Sequence, residues 1–469
     1  MSSASPATPL ATVLEWLPTP SEHFLISTLA LIVYLVNARA RRERRAPAAA
    51  IAWVMGLALL PYLMLPLYLI FGQRKLPLPP PRPAAGRQPI ATDHWAPALL
   101  ESLGLPPPAA APVRFHTDGA QAAAALWEMM DGARDTLDVC TFLIGSDAFG
   151  RAVLARLAQR AQAGVRVRLM YDGLSAWHAP RPALRELAAA GAQIAVFRPL
   201  FALGRAAPRN LRNHRKLVIA DGERLWAGGR NFAAEYFQGT ADSPPWLDLS
   251  FDLSGPVAAD AAWQFAQDWA TAHAGSAPPR LCRVVPVCES GGAPAQFLPS
   301  GPDQPEDTAQ LLLIDACFRA TQRVLAITPY FVPDGALLAA LRLAARRGVQ
   351  VTLVLPARSN HPLADFVRQR PLRELAHAGA TIRLLPVMSH AKAVVVDDTL
   401  ALSGSINLDA RSLLLNYEFA LVFYGPQEIE WLAAWMTARA AEATPFTPEP
   451  PGLLRDIAEG ALLAVAFQV

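Results

Sequence analysis

Residues 214–231 read HRKLVIADGERLWAGGRN, and residues 390–407 read HAKAVVVDDTLALSGSIN. Both stretches fit the pattern H-x-K-x4-D-x6-G-[GS]-x-N. Each places a run of Val, Ile, Leu or Ala, typical of a strand, between a His-x-Lys pair and a turn of small residues that ends in Asn. A pattern of this length that occurs twice indicates an internal repeat rather than chance, so the chain is predicted to contain two similar halves.

The repeat extends beyond the pattern itself. Residues 161–172 resemble residues 345–356, and residues 184–192 resemble residues 372–380. In both copies, stretches with helical periodicity alternate with short β-branched runs, which predicts an α/β fold built from two tandem halves. We set their boundaries at 93–285 and 286–469.

The first copy is longer than the second just before its His-x-Lys pair. An insertion near residues 198–211 accounts for the difference. Two interpretations stay open: the insertion lines the entrance of a site, or it is a tolerated surface loop.

The N-terminal part has the composition of a membrane segment. The whole chain is 52% hydrophobic and only 17% charged, and residues 46–72 carry no charge. Such a run is long enough to cross a bilayer, whereas the apolar run 24–36 is short for that. We therefore predict a transmembrane helical hairpin within residues 1–75, with helices at about 24–37 and 47–71. A proline-rich linker, 76–92, follows, and the predicted location is the inner membrane, as a multi-pass protein.

Charge and cysteine usage exclude several classes of function. The net charge is +3 and the sequence has no basic tail, which argues against a nucleic-acid partner. None of the four cysteines lies in a C-x-x-C or Cys/His pattern, so no metal site is predicted. The chain also lacks the clustered carboxylates that Mg²⁺-dependent phosphoryl transfer requires, and we expect no cofactor.

The residues of the repeated pattern divide into two faces. A His and a Lys two residues apart on a strand share one face. The small residues Gly229 and Ser405 let the backbone approach an anion, and the turn carries Asn231 or Asn407 back towards the His-Lys face. Asp221 and Asp397 complete the catalytic pattern, but strand alternation turns them away, so a structural role at the strand end is predicted.

Two such patterns brought together form a site for phosphate transfer. Lys216, Lys392 and the two asparagines would hold the non-bridging oxygens of a phosphodiester. One neutral imidazole attacks phosphorus while the other, as imidazolium, protonates the leaving oxygen. We assign His214 as the nucleophile and His390 as the general acid, although the near-symmetry of the two patterns leaves the order open.

A histidine with such a role normally has a carboxylate on its second nitrogen. The candidates are Asp248 and Glu418, which follow the two patterns in apolar surroundings. We expect Glu418 to orient His390 and Asp248 to orient His214. For the other histidines an ordinary structural role is expected: His23, His94, His116, His178, His273, His361 and His377.

With these residues in place, the chain resembles the phospholipase D superfamily and, within it, the bacterial cardiolipin synthases. The resemblance spans nearly all of the chain. Its clearest phrases are Asn213–Lys216, Gly228–Phe232, Ser300–Asp303, Thr328–Pro333 and Gly404–Glu418. It implies a pseudo-dimer of two α/β halves with one active site between them, and an enzyme that joins two phosphatidylglycerol molecules into cardiolipin and releases glycerol. It further implies that the site residues are His214, Lys216, Asn231, His390, Lys392 and Asn407.

Several readings of the same residues remain open. Three stretches depart from the pattern of that family: the segment before the first motif, Trp246-Leu-Asp, and Arg358-Ser-Asn-His. These departures leave the donor and acceptor head groups open. A relative that uses phosphatidylethanolamine, or a hydrolase that uses water, would carry the same motifs. A nuclease is disfavoured by the low net charge, and a non-catalytic scaffold by the two intact motifs.

Overall fold

A computed structural model of the 469-residue chain describes residues 18–40, 47–72, 74–76, 94–199, 210–273 and 292–463. Contacts divide the described residues into an N-terminal unit, which contains those up to residue 76 and also Asn210, and a larger unit of residues 94–199, 211–273 and 292–463. Nearly all of the predicted linker and of the insertion near 198–211 lies outside the described residues, as do Cys282 and Cys288. Cys140 and Cys317 are buried free thiols, consistent with their interpretation as small apolar residues.

The N-terminal unit contains three apolar helices: α1 (Pro20–Ala40), α2 (Pro47–Leu59) and α3 (Pro61–Phe71). Their shared core consists of four buried side chains: Ala30, Tyr34, Leu57 and Tyr68. Most of the remaining large apolar side chains point outwards, and Phe24, for example, is 74% exposed. The unit therefore has the outward-facing apolar surface that suits a lipid environment.

The structure corrects the predicted hairpin. Among the described residues one helix, Pro20–Arg39, is long and apolar enough to cross a membrane, and it is longer than the predicted segment 24–37. The run 46–72 does not form one helix, because it is interrupted at Leu60. Pro61 has no N–H to bond to the preceding turn, so a proline there starts a new helix instead of continuing the old one. A multi-pass arrangement is thus not supported.

The first half of the larger unit contains a seven-stranded sheet among its described residues, in the order β2-β8-β7-β6-β3-β4-β5. The strands are β2 (Val113–His116), β3 (Thr136–Thr141), β4 (Arg166–Asp172), β5 (Gln193–Phe197), β6 (Leu217–Ala220), β7 (Arg224–Gly228) and β8 (Ser250–Ser254). The helices are α5 (Gly119–Asp131), α6 (Ala148–Gln162), α7 (Arg181–Ala189) and α8 (Pro256–Ala272). An apolar core that includes Leu126, Val153 and Trp226 packs the helices on the sheet.

The second half repeats this arrangement, with the order β9-β17-β15-β14-β10-β12-β13 inside a nine-stranded sheet whose edge strands are β1 (Ala109–Ala111) and β18 (Thr444–Pro445). The strands are β9 (Ala293–Ser300), β10 (Arg323–Ile327), β11 (Phe331–Val332), β12 (Gln350–Pro356), β13 (Thr381–Leu385), β14 (Ala393–Val396), β15 (Leu400–Gly404), β16 (Leu408–Asp409), β17 (Glu418–Phe423) and β18 (Thr444–Pro445). The helices are α9 (Thr308–Arg319), α10 (Gly335–Arg346), α11 (Pro362–Val367), α12 (Gln369–His377), α13 (Ala410–Leu414), α14 (Pro426–Glu442) and α15 (Leu453–Leu463). The matching strand order confirms the prediction of two tandem α/β halves.

One segment packs across the predicted boundary. Helix α4 (Trp95–Ser102) and strand β1 (Ala109–Ala111) lie at the start of the predicted first half, 93–285. Strand β1 nevertheless pairs antiparallel with β9, and Ala96 and Leu100 lie in the core of the second half. The segment 94–111 therefore belongs structurally to the second half, because its apolar face is buried there.

The two halves are joined by backbone pairing directly beside the repeated patterns. Asn213 forms a parallel bridge with Tyr417, and Leu247 forms a parallel bridge with Ser389. The N–H of His214 donates to the carbonyl of Tyr417 at 2.9 Å, and the N–H of His390 donates to the carbonyl of Leu247 at 2.7 Å. Each histidine is thus attached by its own backbone to the opposite half.

Candidate active site

Each His-x-Lys pair lies in extended chain just before a central strand. His214 and Lys216 precede β6, and His390 and Lys392 precede β14. Strands β6 and β14 pair with β7 and β15, which end at the small-residue turns of the two patterns. The doubled sequence therefore presents two equivalent sets of side chains at the junction of the halves.

Each histidine is oriented by a carboxylate from the opposite half. Nδ1 of His214 lies 2.9 Å from Oε1 of Glu418, and Nδ1 of His390 lies 2.8 Å from Oδ2 of Asp248. Both carboxylates are fully buried. The predicted pairing, Glu418 with His390 and Asp248 with His214, is wrong, because the backbone bridges carry each carboxylate across the junction. A proton held on Nδ1 leaves Nε2 as the nucleophilic or acidic nitrogen.

The two carboxylates are held by different neighbours. Ser405 and Ser412 donate to Glu418 at 2.5 and 2.8 Å. At the position equivalent to Ser405 the first half has Gly229, where a Cβ atom would lie 2.2 Å from Oδ1 of Asp248. Glycine is required there because the carboxylate fills the space of a side chain. Ser405 thus hydrogen-bonds to its carboxylate partner, Glu418, whereas Gly229 leaves room for the carboxylate of Asp248.

The acidity of these carboxylates is set by the cations around them. Burial alone would raise the pKa of Glu418, but His214, Lys216 and the Ser405 hydroxyl lower it below its usual value. Burial likewise raises the pKa of Asp248, but His390 and Lys392 outweigh burial and lower this pKa below its usual value. Both acids are therefore ionised at neutral pH and can stabilise an imidazolium.

The two lysines are buried beside the histidines. Nζ of Lys216 donates to the carbonyl oxygen of His214 at 2.8 Å, and Nζ of Lys392 donates to the carbonyl oxygen of His390. Burial lowers the pKa of Lys216 to about 7 and that of Lys392 to about 8, despite the nearby carboxylates. An anion between them would restore their positive charge, which is the behaviour expected of an oxyanion-binding pair.

Both histidines have pKa values below the usual range. Burial lowers the pKa of His214 to about 4, with the two lysines acting in the same direction and Glu418 against them. Burial and Lys392, whose Nζ lies 3.0 Å from Nδ1 of His390, lower the pKa of His390 to about 3. A neutral imidazole is what nucleophilic attack requires, and a bound phosphate anion would raise the pKa of the histidine that acts as acid.

A cavity of about 460 Å³ opens over these residues and has both histidines in its wall. Asn231 and Asn407 also line it, and the Oδ1 atom of each is buried without a hydrogen-bond partner among the described residues. The Nδ2 atom of Asn231 donates to the Tyr236 hydroxyl at 2.9 Å. The structure therefore brings the predicted His and Asn residues of both patterns to one cavity, while Lys216 and Lys392 are buried beside the histidines and do not line it.

Aromatic rings fix the orientation of both imidazoles. Phe142 packs edge-on against His214 at 5.2 Å between centroids, and Tyr236 packs edge-on against His390 at 5.1 Å. Phe142 and Tyr236 line the cavity as well. Neither lies in the repeated pattern, which is why sequence analysis did not identify them.

Asp221 and Asp397 do not line this cavity, although they were predicted as part of the catalytic pattern. Asp221 accepts backbone N–H groups of Arg134, Asp135 and Thr136 at 2.8–3.1 Å. Asp397 accepts those of Thr321, Gln322 and Arg323 at 2.9 Å. Each holds the turn before the neighbouring strand, β3 or β10, which agrees with the structural role that side-chain alternation predicted.

Arg215 is a residue that sequence analysis missed. Its side chain is fully buried and donates to Asp268 of the first half at 2.6 Å and to Asp303 of the second half at 3.1 Å. Its Nε also donates to the carbonyl of Glu418 at 2.9 Å. The second pattern has Ala391 at the equivalent position. Arg215 therefore ties the halves together directly behind His214 and Glu418.

His178 and His361, for which an ordinary structural role was expected, both line the cavity. They follow β4 and β12, the equivalent strands of the two halves, in the loops at the carboxyl ends of parallel strands. Loops in that position commonly form ligand sites, and this was the signal available in the sequence. Among the described residues there is no cluster of three or more His, Cys, Asp or Glu side chains that could hold a metal ion.

Comparison with known proteins identifies the family of the chain. A family model described as cardiolipin synthase, PLD-like domain, matches residues 126–269 and 313–439, one match in each half. The chain is 33% identical to cardiolipin synthase A of Pseudomonas putida strain W619 over 428 residues, which cover 86% of this chain and 89% of that protein. It is also 33% identical to cardiolipin synthase A of Pseudomonas aeruginosa strain LESB58, over 86% of this chain and 87% of that protein.

A solved structure shares the fold. The crystal structure of phosphatidylserine synthase from Haemophilus influenzae Rd KW20 superposes with a TM-score of 0.62 at 15% identity, and the match covers 79% of this chain and 99% of that chain. At this identity the likeness concerns the fold alone.

Proposed function

This chain belongs to the cardiolipin synthase family of phospholipase D-like phosphotransferases, and we propose that it transfers a phosphatidyl group from one phosphatidylglycerol to another. The observation that carries this proposal is the pair of imidazoles, each oriented by a carboxylate of the opposite half, around one cavity. Two acid-base groups facing one anion site suit a double displacement, in which the same phosphorus is attacked twice.

The first step forms a covalent intermediate on His214. Its Nε2 lone pair forms a bond to phosphorus, and the bond from phosphorus to the glycerol oxygen breaks. The proton of His390 goes to that oxygen, so glycerol leaves as a neutral alcohol. The two lysines and the amides of Asn231 and Asn407 hold the non-bridging oxygens, where negative charge builds up.

The second step reverses the first with a new alcohol. His390, now neutral, accepts the hydroxyl proton of a second phosphatidylglycerol as that oxygen bonds to phosphorus. The bond between phosphorus and Nε2 breaks, and His214 returns to its neutral form. Cardiolipin is the product, and both histidines end in their starting protonation states. Glu418 and Asp248 stabilise the imidazolium forms along the way.

The membrane setting of the reaction is supported by the N-terminal unit. Its long apolar helix α1 suits an anchor in the bacterial inner membrane. An anchored site meets lipid hydroxyls at high local concentration, which favours transfer over hydrolysis by water.

Product analysis with purified full-length protein in phosphatidylglycerol vesicles tests the proposal. The expected products are cardiolipin and glycerol in equal amounts, with His390→Ala as the inactive control. Phosphatidic acid and glycerol as main products would make the protein a hydrolase with the same site. Added phosphatidylethanolamine, if it were consumed in preference, would change the assigned donor.

Metal dependence provides a second test of the mechanism. Because two lysines supply positive charge and two histidines supply the proton transfers, we expect EDTA to leave turnover unchanged. Full loss of activity in EDTA that Mg²⁺ restores would contradict a mechanism carried by the histidines and lysines alone.

A further inference from the structure

The mouth of the active-site cavity carries exposed apolar side chains from both halves. Leu174 and Trp177 follow β4 in the first half and are 45% and 61% exposed. Leu363, on α11 of the second half, is 42% exposed, and the residue after it, Ala364, lines the cavity. Leu174 lines the cavity itself. The two loops occupy equivalent places in the repeat, after β4 and after β12, so the apolar residues lie on both sides of one opening.

The C-terminal helix α15 adds a third apolar element behind the same wall. Leu462 and Leu463 pack in a cluster with Val332 and Val367, and both of these valines line the cavity. Glu459 of α15 is fully buried and forms an ion pair with Arg373 of α12. One face of α15 is therefore fixed to the cavity wall.

The opposite face of α15 is unusually apolar for an exposed surface. Leu453, Leu454 and Ile457 are 76%, 84% and 59% exposed. Residues 453, 454 and 457 share one face of a helix, and residues 459, 462 and 463 share the other, because successive residues are 100° apart. We use the term apolar rim for the six exposed apolar side chains of these elements: Leu174, Trp177, Leu363, Leu453, Leu454 and Ile457.

Basic side chains accompany the apolar rim. Arg181 and Arg358 are exposed in or next to the two loops. Arg455 is exposed on α15, where it pairs with Glu459 at 2.8 Å and where Asp456 is an exposed carboxylate. Apolar residues mixed with an excess of Arg are the composition of surfaces that lie on anionic membranes. Around a soluble-substrate site, a concentration of exposed apolar residues at the mouth would have no such use.

We propose that the apolar rim docks on the surface of an anionic lipid bilayer and that lipid head groups enter the cavity through it. The inference rests on the proposed function in that the substrates are lipids. A cavity of about 460 Å³ has the volume of a small-molecule pocket. It can hold the head group of a lipid, and the acyl chains stay outside it. Docking lets them remain in the bilayer while the phosphate reaches His214 and His390, which spares the cost of exposing them to water.

The test compares one enzyme on two forms of substrate. Full-length protein is placed in phosphatidylcholine vesicles and given either long-chain phosphatidylglycerol in the same bilayer or monomeric dihexanoyl phosphatidylglycerol in solution. The rim variants are Trp177→Asp and the double change Leu453→Asp/Leu454→Asp. The matched control is Leu343→Asp, since Leu343 is 49% exposed on α10 and does not line the cavity.

We expect the rim variants to lower turnover of bilayer phosphatidylglycerol by about tenfold or more, because charges replace side chains that would enter the interface. Turnover of the monomeric substrate and all activities of the control should stay within about twofold of the unaltered protein. Equal loss on both substrates, or no loss on either, would overturn the proposal. So would a change in oligomeric state caused by the rim variants, which would make the rim an interface between copies of the chain.

A direct measurement of contact does not depend on activity. Trp177 fluorescence, obtained as the difference between the unaltered protein and Trp177→Phe, should be quenched by phosphatidylglycerol brominated near the head group. Absence of quenching would overturn docking at this rim. If quenching occurs but the unaltered protein releases neither cardiolipin nor phosphatidic acid, the proposed function fails while the docking surface stands.

Discussion

Oε1 of Glu418, in the second half, lies 2.9 Å from Nδ1 of His214, in the first half. The contact between His390 and Asp248 mirrors it, with the halves exchanged. Neither half contains a complete His-carboxylate pair. The carboxylate that holds the proton on Nδ1 of each histidine, and so leaves Nε2 to react, is therefore present only when the halves are associated. Arg215 strengthens this coupling, because its buried guanidinium group bonds to both halves behind the same pair.

Removing the charge of either carboxylate should slow catalysis without unfolding the protein. Glu418→Gln and Asp248→Asn keep size and shape but no longer stabilise an imidazolium, so we expect kcat to fall by about 10–100-fold. KM for phosphatidylglycerol should change little, because neither acid is expected to touch the substrate. Steady-state kinetics on mixed vesicles provides the measurement.

Glu235→Gln is the control for these variants, since Glu235 lines the cavity without contacting either histidine. It should retain most activity. Wild-type kcat in Glu418→Gln would show that the cross-half pair does not contribute to the reaction.

The sequence predicted the halves but not how they exchange residues. The doubled pattern and its flanking repeats were sufficient for the α/β halves and for the His, Lys and Asn residues, because side-chain alternation and turn chemistry are local. The partners Glu418 and His214 are 204 residues apart, and Asp248 and His390 are 142 apart. Their pairing depends on how the two halves dock, which no local periodicity encodes.

The same limit explains the errors outside the site. The segment 94–111 packs on the second half because its apolar face is buried there, and chain order alone cannot show this. The break at Leu60 was visible as Pro61, but the residues on either side were read as one apolar run. Helix α1 was judged too short because its ends are polar, although polar residues at helix ends are compatible with helix formation.

The aspartates of the repeated pattern should matter for stability rather than for chemistry. Asp221→Asn and Asp397→Asn weaken the bonds to the three backbone N–H groups of each turn, and we expect a loss of roughly 1–3 kcal/mol in the free energy of unfolding. Asn tolerates the positive φ of 57° and 50° at these positions, so the change isolates the charge. Thermal unfolding monitored by circular dichroism provides the measurement, and kcat of the folded protein should be unchanged.

The pH dependence of that loss gives a check on its cause. The backbone N–H groups lower the pKa of both aspartates below the usual value, against the effect of burial. Their contribution is therefore complete above the unfolded-state pKa of about 3.9 and is lost as pH falls through the lower folded value. The difference between wild type and variant should shrink in strong acid. A difference that persisted there would point to packing instead of charge.

Anion binding should take up protons near neutral pH. The pKa values of Lys216 and Lys392 are about 7 and 8, so both lysines are partly deprotonated at pH 7.5. A bound anion raises both pKa values, and affinity should fall as pH rises through this range. Calorimetric titration with inorganic sulfate, in two buffers of different ionisation enthalpy, measures the uptake directly.

Lys216→Arg provides the matched variant, because an arginine stays protonated throughout this range. Its proton uptake should be smaller than that of the unaltered protein, with binding retained. Release of protons, or equal uptake in both proteins, would contradict the assignment of Lys216 as an anion ligand.

A substrate that needs no acid should separate the two histidines. With phosphatidylglycerol, His214→Ala and His390→Ala should each lose several orders of magnitude in kcat, since the two groups act as one unit. Phosphatidyl-p-nitrophenol releases a nitrophenolate that leaves without protonation. His390→Ala should then still give one rapid equivalent of nitrophenolate, while His214→Ala should give none. The adduct should accumulate in His390→Ala, because no base remains to activate the acceptor alcohol, and mass spectrometry should locate the phosphatidyl group on His214. A burst in His214→Ala, with the adduct on His390, would exchange the two roles and leave the rest of the mechanism in place.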